Sequence, residues 1–170
     1  TVTALAAKST TATIPVIFIA GGDLVKVGLI ASLARPGGNL TGLSLLIVEL
    51  NAKRVELLKE AFPKVRRAAA LGNPANPAYT SQLKETQAAA KALAIQLQVL
   101  EARGPNDFES VFSTMTERGA GALLVSTDPM LYAERKKIVD LAAKSRVPAI
   151  YEFKEYVEAG GLMSYGTNII

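Results

Sequence analysis

What most constrains this chain is an alternation. Short apolar runs rich in β-branched residues exchange with longer runs in which apolar residues recur every three or four positions, and the connections are short. The run IPVIFI at 14–19 reads as a buried strand, and LVKVGLIASLA at 24–34 as a helix that Arg35-Pro36-Gly37-Gly38-Asn39 breaks. Another strand is expected around Thr41 to Ser44. From residue 50 the pattern is regular: helix 50–62 with Val55, Leu58 and Phe62 on one face, strand 67–71, then helix 77–94 with Leu83, Thr86, Ala90 and Leu93 inward. The strand at 67–71, RAAAL, rests on an alanine run that also suits a helix. IQLQVL at 95–100 alternates strictly, as a strand near a sheet edge does. Asn106 and Glu109 have the spacing of a capping box, and Phe108, Val111, Phe112 and Met115 then share one helical face. Strand 121–125, helix 131–143, strand 147–151, a short helix at 153–159 and strand 162–165 complete the series.

Such an order predicts an α/β fold, a doubly wound parallel sheet flanked by helices on both faces and built from right-handed crossovers. Its 170 residues suit one domain or slightly more, and the 49% hydrophobic content can fill a sizeable core. The chain opens on TVTALAAK, which reads as the end of a helix, with neither an initiator Met nor a signal peptide. A processed chain or a piece of something longer is therefore expected.

Two absences narrow the chemistry. Without cysteine there are no disulfides or thiolate metal sites, and without histidine there is no Ser-His-Asp or Cys-His arrangement. Ser32, Ser81 and Ser126 lie outside any GxSxG elbow. Gly21, Gly22 and Gly28 have the wrong spacing for a dinucleotide fingerprint, and no GxxxxGK[ST] occurs. The sequence thus calls for no cofactor, no metal and no catalytic residue. Net charge is +4, with Lys64, Arg66, Arg67 and Arg135, Lys136, Lys137 as the denser clusters. Neither is interleaved with aromatics, so both read as solvated surface and no nucleic-acid partner is expected. No apolar run is long enough to span a bilayer.

An open parallel sheet binds ligands outside the carboxyl ends of its strands. Those ends read Gly21-Gly22-Asp23, Ser44, Gly72-Asn73-Pro74, Ser126-Thr127-Asp128-Pro129, Tyr151-Glu152 and Tyr165-Gly166. The candidate ligand-binding residues are accordingly Asp23, Asn73, Ser126, Thr127, Asp128 and Tyr151. In LVSTDPM, at 124–130, Asp128 before Pro129 also fits a helix N-cap. It can cap, meet a ligand, or do both, since a carboxylate has about four lone-pair sites. Asn73 carries the same two readings, and Asn76 reads as a cap alone. Tyr151 is either an ordinary strand-end aromatic or a stacking surface for a ligand. Together these groups suit a small zwitterion, with backbone N–H groups at helix starts taking a carboxylate and Asp128 or Asp23 taking an ammonium group.

Three stretches carry a resemblance: IPVIFIAGGDLVKVGLIASLARPGGNLTGLS, KRVELLKEAFPKVRRAAALGNPANP and VPAIYEFKEYVEAGGLMSYG. They closely resemble the substrate-binding proteins of ABC transporters, of the tryptophan- or aromatic amino-acid-binding kind. The resemblance implies a periplasmic-binding-protein-like, type I-like fold, in which two lobes hinge shut on a ligand. It implies residues 1–41 as the last part of the first lobe and the crossover, 42–164 as the second lobe, and 165–170 as the start of the return crossover. It further implies export by signal peptide or lipid anchor to a periplasmic or extracellular-facing position, an ABC permease of the inner membrane as partner, and no catalysis. Members are about twice this length, so a homodimer through uncovered apolar surface is a further expectation. Two other readings fit the same pattern: a ligand-sensing domain of a signalling or regulatory protein, and a nucleotide-using doubly wound enzyme.

Overall fold

The computed structural model describes residues 2–20, 24–45 and 47–168. They form two compact units, one up to Val48 and one from Glu49 onward. The first unit holds helix α1 (Val2–Thr10) and the parallel strands β1 (Val16–Ala20) and β2 (Leu40–Ser44). The strand expected near Thr41 is thus β2, and its partner is β1. Phe18, Ala20 and Leu40 turn inward with Ala4, Leu24, Leu29 and Ile30. The opposite sheet face is bare: Ile17 is 83% exposed and Ile19 63%, with Leu43 beside them. Parallel sheets are ordinarily covered on both faces, so this is an uncovered apolar surface.

The helix expected over 24–34 is absent. After one turn the Gly28 N–H donates to the Val25 carbonyl and the Leu29 N–H to the Leu24 carbonyl. This paired closure ends a helix through a left-handed residue, and Gly28 has φ +70°. The apolar periodicity of 24–34 survives only in the burial of Leu24, Leu29 and Ile30.

The second unit contains α2 (Ile47–Ala61, whose first residues belong to the first unit), β3 (Arg67–Gly72), α3 (Tyr79–Ala92), β4 (Gln96–Glu101), α4 (Phe108–Glu117), β5 (Leu123–Val125), α5 (Pro129–Ala133), α6 (Arg135–Lys144), β6 (Ala149–Tyr151), α7 (Lys154–Glu158) and β7 (Met163–Ser164). Five strands form one parallel sheet in the order β4-β3-β5-β6-β7. The alanine run at 67–71 is a strand after all, because the slot between β4 and β5 leaves room for small side chains on both faces: Ala68, Ala69 and Ala70 are all buried. Side-chain alternation divides the core in two. Val55 and Leu58 of α2 and Ala90 of α3 pack on Ala68, Leu124 and Ile150. Phe112 of α4, Leu131 of α5, Ile138 of α6 and Tyr156 of α7 pack on Leu71, Val125 and Tyr151.

Three local expectations are corrected. Asn106 and Glu109 make no capping box; a 3-10 turn at Pro105–Asp107 leads into α4, and the Asp107 carboxylate accepts from the Arg103 N–H. The single helix at 131–143 is two, broken at Glu134. The inward face of α3 carries Gln82, Thr86 and Ala90, with Leu83 only half-buried.

A Cβ at residue 28 would meet nothing within 4 Å, so the cost of Gly28→Ala is conformational alone. It should destabilise the first unit by about 1 kcal/mol, and Gly28→Asn by less, since Asn tolerates the left-handed region. Hydrogen exchange of the Leu29 and Ile30 amides checks this; equal effects of Ala and Asn would refute it.

Candidate functional site

The sheet order places a reversal between β3 and β5: the chain leaves β3 toward β4 on one side and returns to β5 on the other. At such a switch point the two outgoing connections diverge and open a crevice at the strand ends. The connections here are Asn73–Ala78 and Ser126–Asp128, so the sequence-derived residues Asn73, Ser126, Thr127 and Asp128 come together at one place. Gly21-Gly22-Asp23, and with it the candidate Asp23, lies outside the described residues.

Asp128 knits this place together. Its Oδ1 accepts from the backbone N–H of Met130 at 2.8 Å and of Leu131 at 3.0 Å, capping α5. Its Oδ2 accepts from Asn76 Nδ2 at 2.9 Å and Asn73 Nδ2 at 3.2 Å. The side chain is 4% exposed, and four N–H donors fill its acceptor positions. Asn76 is therefore more than a cap: its Oδ1 accepts from the Ala78 N–H while Nδ2 reaches Asp128 and the Thr127 carbonyl. Asn73 works similarly, with Oδ1 accepting from the Ala75 N–H.

Gln82 adds a two-point clamp that the sequence reading missed. Its Oε1 accepts from the Thr127 N–H at 2.9 Å and its Nε2 donates to the Thr127 carbonyl at 3.0 Å. A carboxamide carries the same donor and acceptor as a peptide group, so Gln82 continues the ladder two residues past β5. The available signal was a Gln on the buried stripe of α3, aligned with Thr86 and Ala90. Ser126 is half-buried, and its hydroxyl has no hydrogen-bond partner among the described residues. The Thr127 hydroxyl is buried without one. Tyr151 is buried, stacked on Tyr156 with ring centroids 4.5 Å apart, and burial pushes its phenol well above the ordinary value.

A second group missed from sequence lies beside β6. Glu152, one residue past the strand, is 3% exposed, and neither carboxylate oxygen has a hydrogen-bond donor among the described residues. Burial pushes its carboxyl up to about 8; the Arg54 charge and its own backbone N–H reduce the rise, while Asp128 and Glu155 add to it. Arg54 of α2 is itself buried and donates to Asn51 Oδ1. Burial pulls the guanidinium down from its ordinary value, and the neighbouring Glu152 offsets part of this.

A groove of ≈ 600 Å³ lined by Phe62, Lys64, Arg67 and Gly121 lies at the amino ends of the strands. It faces away from this constellation and is not where an open sheet binds ligands. Among the described residues no cluster of three acidic side chains is arranged to hold a metal, and no helix is long and apolar enough to cross a membrane.

The raised carboxyl of Glu152 fixes a sign. The folded chain holds a proton that the unfolded chain releases above about 4.5, so stability falls as pH rises from there to about 8. Glu152→Gln should flatten that decline, recovering up to roughly 5 kcal/mol at the alkaline end. Urea titrations of both proteins at pH 5 and pH 8.5 check it; parallel pH profiles would show that Glu152 ionises freely.

With this geometry in place, similarity to known proteins becomes informative. All of residues 1–170 match the family described as ABC transporter substrate binding protein. The Tyrosine-binding protein of Clostridioides difficile (strain R20291) is 26% identical over 167 residues, covering 98% of this chain and 47% of that protein. A Streptococcus pneumoniae ABC domain solved in complex with L-Trp superposes with TM-score 0.82 at 28% identity, covering 95% of this chain and 55% of its own. A conserved domain protein of Vibrio cholerae superposes with TM-score 0.85 at 29% identity, with coverages of 95% and 54%. The chain thus spans about half the length of these relatives. A parallel sheet with helices on both faces, a ligand-side switch point and a match over every residue agree: this chain belongs to the ABC transporter substrate-binding protein family.

Proposed function

We propose that this chain supplies one lobe of the ligand site of an ABC importer's solute-binding protein, and that the ligand is an amino acid, aromatic ones included. The observation that carries the reading is the gathering of Asn73, Ser126, Thr127 and Asp128 at the switch point of a lobe belonging to this family. The ligand class is supported by the tyrosine-binding relative and the L-Trp complex. In this reading the Ser126 hydroxyl and the Asn73 amide meet the ligand's polar groups. Asp128 attracts the ammonium group by charge, its hydrogen bonds being already in use. Thr127 and Tyr151 shape the wall, and a role for Asp23 remains part of the same reading. The protein works without catalysis, outside the inner membrane, and hands its ligand to an ABC permease.

Mass spectrometry of small molecules retained through native purification of the full-length protein tests the ligand class. L-tyrosine or L-tryptophan should be found, and retention of a nucleotide or sugar instead would sink the reading. Ser126→Ala should weaken amino-acid binding by about 1 kcal/mol, the worth of one neutral hydrogen bond, with unchanged thermal stability. Calorimetry on the variant measures this, and full affinity would remove Ser126 from the contacts.

We also infer that copies of the isolated chain pair through the bare β1–β2 face, where Ile17, Ile19 and Leu43 are exposed. Sedimentation should show a dimer that Ile19→Lys dissociates; a monomer at high concentration would exclude the pairing.

A further inference from the structure

We propose that Tyr79 is a positioning residue of this site: its ring, laid across the ends of β4, β3 and β5, holds the Ser126 hydroxyl in one direction before the ligand arrives. The proposal rests on the amino-acid reading above and adds to it the residue that presets one of its contacts.

Tyr79 is the first residue of α3, and its N–H donates to the Asn76 carbonyl at 2.9 Å. It thus starts from the connection whose asparagines hold Asp128. The side chain is 9% exposed and reaches across the strand ends. Its hydroxyl donates to Glu101 Oε1 at 2.9 Å, and Glu101 ends β4 in register with Gly72, the last residue of β3. A Cβ on Gly72 would stand 2.4 Å from Tyr79 Cε2 and 2.8 Å from Cδ2, so the ring fills the space that any other residue would need.

The same absent Cβ would stand 3.3 Å from Ser126 Oγ, so the ring and the hydroxyl share the gap over Gly72. The main chain of Ser126 is already fixed: its N–H donates to the Leu71 carbonyl at 2.9 Å, and Gln82 clamps the next residue. The freedom that remains is rotation about its Cα–Cβ bond among the staggered positions. Ring carbons occupy one side of the hydroxyl and offer it no strong hydrogen-bond partner. Its donor and acceptor sites are left for a group arriving at the half-exposed side of Ser126. A contact preset in this way strengthens binding by reducing what must be ordered when the ligand arrives. Tyr79 stands behind the contact, with its ring on Gly72 and its hydroxyl taken by Glu101.

The test is calorimetry on the full-length protein with L-tyrosine and L-tryptophan as probes, at a temperature where circular dichroism shows each variant folded. Tyr79→Phe keeps the ring and should keep wild-type affinity. Tyr79→Ala should lose roughly two- to fivefold, because the ring can give no more than the Ser126 hydroxyl contributes, about fivefold. Added to Ser126→Ala, Tyr79→Ala should cost nothing further, since both act through one contact. Undiminished affinity of Tyr79→Ala, an equal loss with and without the Ser126 hydroxyl, or a Phe variant as weak as the Ala one would overturn the positioning role and leave the amino-acid reading intact. Full affinity of Ser126→Ala would overturn it by removing the contact it serves. Binding of neither probe by the wild type would overturn both. Should Tyr79→Ala fail to fold, proton NMR of the ligand-free wild type decides: Ser126 couplings of a single staggered position bear the proposal out, and couplings averaged over several refute it.

Discussion

Two connections that leave a sheet in opposite directions must be tied together, or the crevice between them has no fixed shape. In this chain one carboxylate does the tying. Asp128 accepts from two backbone N–H groups of its own helix and from two asparagine amides of the connection after β3. Hydrogen bonds to a charged group contribute roughly 1.5–3 kcal/mol each, and in a buried position the loss of one partner costs more than its formation gains. The loops at the switch point are thereby held as one body.

Glu152 is the counterpart. Both acids stand at strand ends and both are almost wholly buried. Asp128 is surrounded by donors, whereas Glu152 has the favourable charge of Arg54 and no hydrogen-bond donor on its carboxylate among the described residues. A saturated carboxylate is fixed in geometry. The difference comes from where each sits: Asp128 opens a helix and meets its N–H groups, while Glu152 follows β6 and stands two residues before α7 begins.

Much of the fold was legible because periodicity survives packing. The strands of the second unit, its flanking helices and the edge position of β4 follow from alternation and spacing in the sequence. The helix expected at 24–34 failed because Gly28, a single left-handed residue, outweighs the apolar pattern around it. The capping box failed because Pro105 starts a 3-10 turn before Asn106 can cap. At the candidate site, Asn73, Ser126, Thr127 and Asp128 were legible from position alone. Gln82, Arg54 and Glu152 were not. Gln82 and Arg54 are polar residues within helices, Glu152 stands at a strand end without a motif to single it out, and their partners lie 45 and 98 positions away. Spacing within one helix cannot report a partner that only the sheet brings near.

The Gln82 clamp has a consequence for how such a site diversifies. It grips Thr127 by the main chain alone, and a main-chain grip is indifferent to the side chain it carries. Residue 127 can therefore be exchanged over a lineage without loosening the connection that presents it. Anchoring rests on the main-chain atoms of residue 127, so its side chain can change while the scaffold stays put.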